Sequence, residues 1–154
     1  MAQTTAAIGG ACGQVQVGST NVVGDATDIS GQAQSLATPK QTRQSGEGYT
    51  LEGDTAIIKG GKREPVDLTF TIVYTEEDTE AWELARAEFE AASCGDPLYV
   101  WWSPGGGDIG DQRYSAGGTM TGFDYPLVDA TAPAPIMCTF TVHVAEIDTT
   151  TISS

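Results

Sequence analysis

The segment Pro65-Val-Asp-Leu-Thr-Phe-Thr-Ile-Val-Tyr74 decides the fold class of this chain. Its apolar side chains stand at every second position from 66 to 74, and the positions between them are mostly polar. A period of two residues predicts a β-strand with one face in a protein core. Residues 135–147 alternate in the same way. The strongest core candidates on these two strands are Phe70, Ile72, Phe140 and Val142.

Between these strands the spacing of the apolar residues changes from strand-like to helical. Trp82, Ala85 and Phe89 recur at intervals of three and four residues, which is typical of an amphipathic helix. Acidic residues just before position 80 suit the positive end of a helix dipole, and a glycine and a proline after position 93 suit its end. We therefore expect a helix over about 77–93, with Trp82 and Phe89 in the core.

The remaining apolar segments predict further strands rather than helices. Residues 98–103, LYVWWS, form a short aromatic strand, and strands are plausible near Ile29 and over 33–36. Segments 111–115 and 118–125 are expected to form a hairpin closed by Ala116-Gly117. The order of elements predicts one mainly β domain over 1–154, a β-sandwich or partly closed barrel flanked by one helix.

Three segments are too polar to belong to the core. Residues 1–24 are small, polar and rich in glycine, so we expect an N-terminal arm that is either loose or ordered against a neighbour. Residues 38–64 form a long hydrophilic loop or hairpin, and long ordered loops are usually functional or interfacial. Residues 148–154 are expected to be a peripheral C-terminal tail.

The composition is strongly acidic and narrows the possible partners. Seven basic and 21 acidic residues give a net charge of −14. Nucleic-acid binding needs Lys and Arg to neutralise phosphates, so a nucleic-acid-gripping protein is disfavoured. The acidity serves either solubility or the repulsion of a polyanion, and composition does not choose between them. No secretion signal or membrane span is evident, and synthesis in a reducing cytoplasm is expected.

Catalytic and metal-binding patterns are absent from the sequence. His143 is the single histidine and lies in an alternating strand, where a solvated or interfacial role is favoured over catalysis. The glycine-rich segment 104–111 lacks the Lys-Ser/Thr of a phosphate-binding loop. Its two carboxylates, Asp108 and Asp111, could hold Ca²⁺ but lack the EF-hand and nonapeptide patterns, so a flexible hairpin loop is favoured. Three cysteines without a C-x-x-C spacing predict no zinc site. We therefore expect no enzyme, cofactor or metal.

Several segments, taken in order, resemble tail tube (major tail) proteins of long-tailed, non-contractile bacteriophages of the siphovirus type. They are Gln44-Ser-Gly-Glu-Gly-Tyr-Thr-Leu-Glu-Gly-Asp54 and its continuation to residue 76, the helix, Tyr99-Val-Trp-Trp-Ser-Pro-Gly-Gly-Gly107, the Gly118 strand with Phe123, and Pro135-Ile-Met-Cys-Thr-Phe-Thr-Val142. Order and spacing over about 25–147 carry the resemblance. It implies a β-sandwich with a flanking helix, in subunits that form hexameric rings and stack into the virion's DNA conduit.

The resemblance also implies partners and contact residues. Residues 38–64 become a stacking element, and the expected inter-ring or inter-subunit contacts are Lys59, Lys62, Arg63, Glu47, Glu52 and Asp54. The partners are further copies of the chain and the tape measure, tail terminator and distal tail proteins, while DNA passes an acidic lumen without specific binding. Two alternatives remain: a tube protein of a contractile tail or secretion apparatus, and a glycan-binding β-sandwich that uses Tyr99, Trp101 and Trp102.

Overall fold

The computed structural model describes residues 2–91, 96–131 and 133–153, which contain ten β-strands and one α-helix. The strands are β1 (Gln14–Gly18), β2 (Thr27–Asp28), β3 (Ala33–Leu36), β4 (Arg43–Gly48), β5 (Ile57–Arg63), β6 (Val66–Val73), β7 (Leu98–Ser103), β8 (Gln112–Phe123), β9 (Met137–Val144) and β10 (Asp148–Thr151). The helix, α1, spans Ala81–Ala91. Short 3-10 helices occupy Gly10–Cys12 and Val23–Asp25.

Eight strands form one antiparallel sheet in the order β2-β1-β7-β8-β9-β6-β3, with β10 paired to β8. Apolar side chains from both halves of the sheet, such as Val17 and Val100 in one half and Phe70 and Phe140 in the other, belong to a single buried cluster. The sheet is therefore folded over on itself like a sandwich, and it does not close into a barrel. The prediction of a mainly β fold with one helix is confirmed.

The two alternating strands lie side by side at the centre of the core. Phe70 pairs with Phe140 across the β6–β9 ladder, and their rings stack with centroids 5.1 Å apart. Ile72 and Val142 are as fully buried as the two phenylalanines. Each such side chain contributes about 1.5–3 kcal/mol to folding through burial.

Helix α1 covers one end of this core and differs from its prediction in two respects. It begins at Ala81 rather than near 77, because residues 77–80 form a turn in which the Glu80 amide donates to the Glu77 carbonyl. Trp82 is buried against Tyr74 and Phe123. Phe89 is 36% exposed; it stacks on Phe123 from the end of the helix that passes beyond the core. The expected helix end near 93 lies outside the described residues.

The prediction of a hairpin at 111–125 was wrong, because residues Gln112–Phe123 form the single strand β8. Ala116 and Gly117 continue the strand rather than turn it, and Ala116 is buried. A Cβ on Gly117 would meet the Tyr99 ring, and a Cβ on Gly118 would lie 2.0 Å from the His143 carbonyl oxygen. These glycines serve close packing between strands, which the sequence does not distinguish from a turn.

Both terminal segments contribute to the sheet. Strand β1 lies within the expected N-terminal arm of 1–24, yet it pairs with β7 and β2, and Val17 is buried. Ala2 to Cys12 are exposed, so the arm is confined to that stretch. In the expected C-terminal tail, β10 pairs with β8 and Ile152 is buried. For β1, the only signal in the sequence was the alternation of Val15 and Val17.

Candidate assembly interface

The β4–β5 hairpin is the feature of the molecule that a folded monomer does not explain. It forms a separate two-stranded sheet, and every residue in both strands is exposed. A two-stranded hairpin alone is marginally stable at best in water, because it buries too little apolar surface to offset the entropy of ordering its backbone. A hairpin of this kind would be stabilised by contact with another surface.

The base of the hairpin is held firmly to the sandwich. Gln41 Nε2 donates to the Ala145 carbonyl at 2.8 Å and to the Glu64 carbonyl at 3.2 Å. Arg63 donates to the Ile147 carbonyl at 3.3 Å and lies 3.7 Å from the Glu146 carboxylate. These bonds fix the direction in which the hairpin leaves the sandwich, while its far end stays in solvent.

The far end of the hairpin is apolar, which sequence reasoning did not anticipate. Four large side chains there are exposed: Tyr49, Leu51, Ile57 and Ile58. Ile58 lies opposite Glu47 and Ile57 opposite Gly48 in the ladder. The available signal was the pair of adjacent isoleucines in a segment that is otherwise hydrophilic. We call these four residues the hairpin tip.

The charged residues predicted as contacts all lie on this hairpin, but they do not form one cluster. Lys59 and Lys62 are exposed on β5 and form no ion pair with any residue that the structure describes. Arg63 differs, because its guanidinium is already bonded at the base. Of the acidic residues, Glu47 lies in β4, while Glu52 and Asp54 lie between the two strands.

The alternative sites found in the sequence do not assemble into a catalytic or sugar-binding site. Trp101 and Trp102 are both buried, so the aromatic row cannot stack on a glycan. His143 Nδ1 lies 2.7 Å from Asp67 Oδ1 on the exposed face of β6 and β9, where the pair is open to solvent rather than set in a cleft. In the glycine-rich loop, the Asp108 amide donates to Asp111 Oδ2 at 3.0 Å.

Two surface clefts offer few reactive groups. One, of about 340 Å³ between β1 and β3, is lined by no titratable side chain, and another, of about 350 Å³, is lined by Glu88 and Asp96 with Ser19, Ala91 and Pro97. Among residues 2–91, 96–131 and 133–153, no three or more His, Cys, Asp or Glu side chains are grouped to hold a metal ion. No described helix is long and apolar enough to span a membrane. The hairpin is therefore the candidate site, and its chemistry is that of association.

No protein-family profile and no curated protein sequence matches the chain. Solved structures do match. The chain has the fold of tail tube proteins. It is 12% identical to a chain of the extended sheath–tube complex of the extracellular contractile injection system PVC, with a TM-score of 0.73 over 96% of this chain and 94% of that one. It is 13% identical to a chain of the tube-terminating cap of the anti-feeding prophage, with a TM-score of 0.70 over 98% and 95%.

A phage tail tube also matches. The SPP1 tail tube structure is 12% identical, with a TM-score of 0.64 over 96% of this chain and 81% of that one. The resemblance to tail tube proteins is thus confirmed at the level of the fold. Because the matches include chains from contractile injection systems and from a phage tail, the fold alone does not distinguish the type of tail.

Proposed function

We propose that this chain is the tail tube protein of a long-tailed, non-contractile bacteriophage. It is a structural virion protein, made in the host cytoplasm, that polymerises as stacked hexameric rings into the tail tube. It is not an enzyme and uses no cofactor. The observation that carries the proposal is the β4–β5 hairpin, which leaves the sandwich with every strand residue exposed and an apolar tip.

A ring of subunits would pair the sheet edges that are unpaired in the monomer. Among the described strands of the large sheet, β2, β3 and β10 each pair on one side only, and exposed edges invite pairing with another chain. Repeated copies of one chain usually associate with closed rotational symmetry. Six copies are favoured because two structures with this fold, a baseplate of the anti-feeding prophage and a gene-transfer-agent tail, are described with six-fold symmetry.

The acidity suits a conduit for DNA. With a net charge of −14 per subunit, an acidic lumen would repel the phosphate backbone and let DNA pass without specific binding. The tape measure, tail terminator and distal tail proteins would be the other partners of such a tube.

A tube of a contractile tail or secretion apparatus is the second candidate. The match to a chain of a contractile injection system favours it. The two proposals differ in whether the outer wall of the tube binds a sheath. Co-sedimentation of assembled tubes with a candidate sheath protein from the same genome would favour the second candidate, and tubes that stay bare would favour the first.

The test is assembly by the purified chain and by a variant without the hairpin. Residues 44–61 are replaced by Asn-Gly, which leaves Gln41 and Arg63 at the base in place. We expect the parent chain to form rings and tubes in negative-stain micrographs. The variant should unfold in urea at the same midpoint as the parent monomer but form no long tubes. Tubes of normal length from the variant, or a parent chain that stays monomeric at high concentration, would contradict the proposal.

A further inference from the structure

The three residues that join β9 to β10 lie against the base of the hairpin, and we call residues 145–147 the β9–β10 link. Gln41 Nε2 donates to the Ala145 carbonyl at 2.8 Å, and Gln41 Oε1 accepts from the Ile147 amide at 3.3 Å. The Ile147 carbonyl accepts from Arg63 at 3.3 Å. The hairpin base therefore holds both backbone groups of Ile147.

The side chain of Gln41 uses its full hydrogen-bonding capacity at this point. A primary amide has two N–H donors and an oxygen that accepts two bonds. Besides the bonds to the link, Gln41 Nε2 donates to the Glu64 carbonyl at 3.2 Å, and Gln41 Oε1 lies 3.5 Å from the Arg63 guanidinium. Gln41 precedes β4 and Arg63 ends β5. One side chain thus ties both legs of the hairpin to the β9–β10 link.

The hairpin has little else to keep it ordered. Every residue in its two strands is exposed, and a two-stranded hairpin is marginally stable by itself. The hydrogen bond from the Thr42 hydroxyl to the Glu64 carboxylate, at 2.9 Å, lies within the base. Among the residues that the structure describes, each hydrogen bond from the hairpin to the sandwich involves Gln41 or Arg63. The order of the hairpin therefore depends on the position of the β9–β10 link.

Strand β10 holds the other end of this link. Asp148 follows the link directly and pairs with Ser115, and the ladder to β8 continues to Thr151. Ile152 is buried beyond the strand, and its amide donates to the Asp111 carbonyl at 2.9 Å. On its other side β10 pairs with no strand that the structure describes. One ladder and one buried side chain therefore seat both β10 and the link before it.

We propose that Gln41 and Arg63 couple the hairpin to β10, so that the hairpin is ordered while β10 is seated on β8 and loosens when β10 leaves it. The two elements share the β9–β10 link, so a displacement of one removes the bonds that order the other. Such coupling is reciprocal, and contacts that immobilise the hairpin also hold β10 on β8. A strand that displaces β10 releases the hairpin without touching it. The coupling lies within one subunit and does not depend on the proposed assembly.

Substitutions at the two ends of this connection test the coupling. Gln41→Ala removes the bonds at the hairpin base, and its control is Gln44→Ala on β4. Ile152→Ala weakens the seat of β10, and its control is Val17→Ala on β1, because both side chains are 5% exposed. Hydrogen exchange of the monomeric chain, measured by mass spectrometry, reports order in each segment separately. All three tryptophans lie outside the hairpin, so fluorescence-detected urea unfolding reports the stability of the sandwich.

We expect Gln41→Ala to speed exchange over residues 43–63 about tenfold, because several hydrogen bonds that oppose local opening are lost. Exchange over β10 should rise with it, while the urea midpoint stays at the parent value. Ile152→Ala should speed exchange over β10 and over the hairpin. Val17→Ala should lower the urea midpoint and leave exchange in the hairpin unchanged, and Gln44→Ala should resemble the parent throughout.

An isosteric variant, Gln41→Glu, separates hydrogen bonding from size, because it keeps the shape of the side chain and loses the N–H donors. It should loosen the hairpin as Gln41→Ala does, and exchange like that of the parent would overturn the role of the amide. A hairpin that Val17→Ala loosens as much as Ile152→Ala does would overturn the coupling, since general destabilisation would then explain both. If Ile152→Ala does not fold, exchange over β10 in Gln41→Ala decides, and a parent value there overturns the coupling.

Discussion

Strands β5 and β6 follow one another in the chain and differ in almost everything except backbone conformation. Only Glu64 and Pro65 separate them. In β6, Leu68, Phe70 and Ile72 are buried and alternate with partly exposed residues, and ladders to β3 and β9 flank the strand. In β5, every residue is exposed and the single partner is β4. Strand β6 is therefore stabilised by burial within the chain, whereas β5 buries no side chain against the residues that the structure describes.

The largest expected effect is the loss of stability caused by a substitution in the core of β6. Phe70→Ala should lower the free energy of unfolding of the monomer by about 3–5 kcal/mol, because it removes a ring stacked on Phe140 and leaves a cavity. Ile58→Ala on the hairpin tip should change it by no more than about 0.5 kcal/mol. Urea unfolding monitored by tryptophan fluorescence measures both. Similar losses for the two variants would place the hairpin inside the cooperative core and refute the comparison.

A smaller effect tests whether β8 is one strand. Gly118→Ala should cost about 1–3 kcal/mol, because its Cβ would lie 2.0 Å from the His143 carbonyl oxygen and force β8 away from β9. The matched control is Gly122→Ala on the same strand, where the nearest atoms of Thr141 are 3.6 Å away, and it should be nearly neutral. Equal urea midpoints for the two variants would indicate that residues 116–118 are not packed as described.

The smallest effect is a pH dependence that comes from Asp28 at the end of β2. The Asp28 carboxylate is partly buried, which raises its pKa, but hydrogen bonds from the Ser30 hydroxyl and amide and from Gln14 outweigh burial and hold the pKa below its usual 3.8. A lowered folded-state pKa stabilises the protein above the unfolded value, and this stabilisation is lost as the pH falls through the folded one.

Unfolding midpoints at pH 7 and at pH 3 would reveal that loss. The parent chain should lose more stability between the two than Asp28→Asn does. An Asp28→Asn variant with the same pH dependence as the parent would contradict the assigned hydrogen bonds.

The sequence predicts well those elements whose stability comes from their own pattern. Alternation over 66–74 and 135–147 predicts β6 and β9. When one face of a strand is buried, every second residue must be apolar, and this pattern is visible in the sequence. The same logic fails at Phe89, since helical spacing indicates which face points inward but not how far the core extends beneath it. It fails again at Ala116-Gly117. Close packing against Tyr99 requires a small residue there, and small residues are also what a turn would contain.

The candidate site could be predicted in part. The length and polarity of residues 38–64 indicate an interfacial element, and its charged residues are read directly from the chain. The apolar hairpin tip and the other exposed apolar side chains are harder to predict. Exposed side chains such as Leu51 and Val128 look, in sequence, like residues of a weak strand or loop. Their exposure follows from the tertiary structure, and any partner that covers them lies outside the subunit.

The link between β2 and β3 has a consequence for how fast the subunit folds. Residues 29–32 join strands at opposite ends of the sheet path, since β2 pairs with β1 and β3 with β6. The central ladders also join distant parts of the chain, as in the pairs Val17 with Val100 and Phe70 with Phe140. Contacts between residues so far apart form only after a long loop has closed. The entropy lost in closing the loop is offset only once the strands pair, which makes folding slow. The hairpin has local contacts but is marginally stable alone, so it becomes ordered only once the sandwich supplies the Ala145 and Ile147 carbonyls that hold its base.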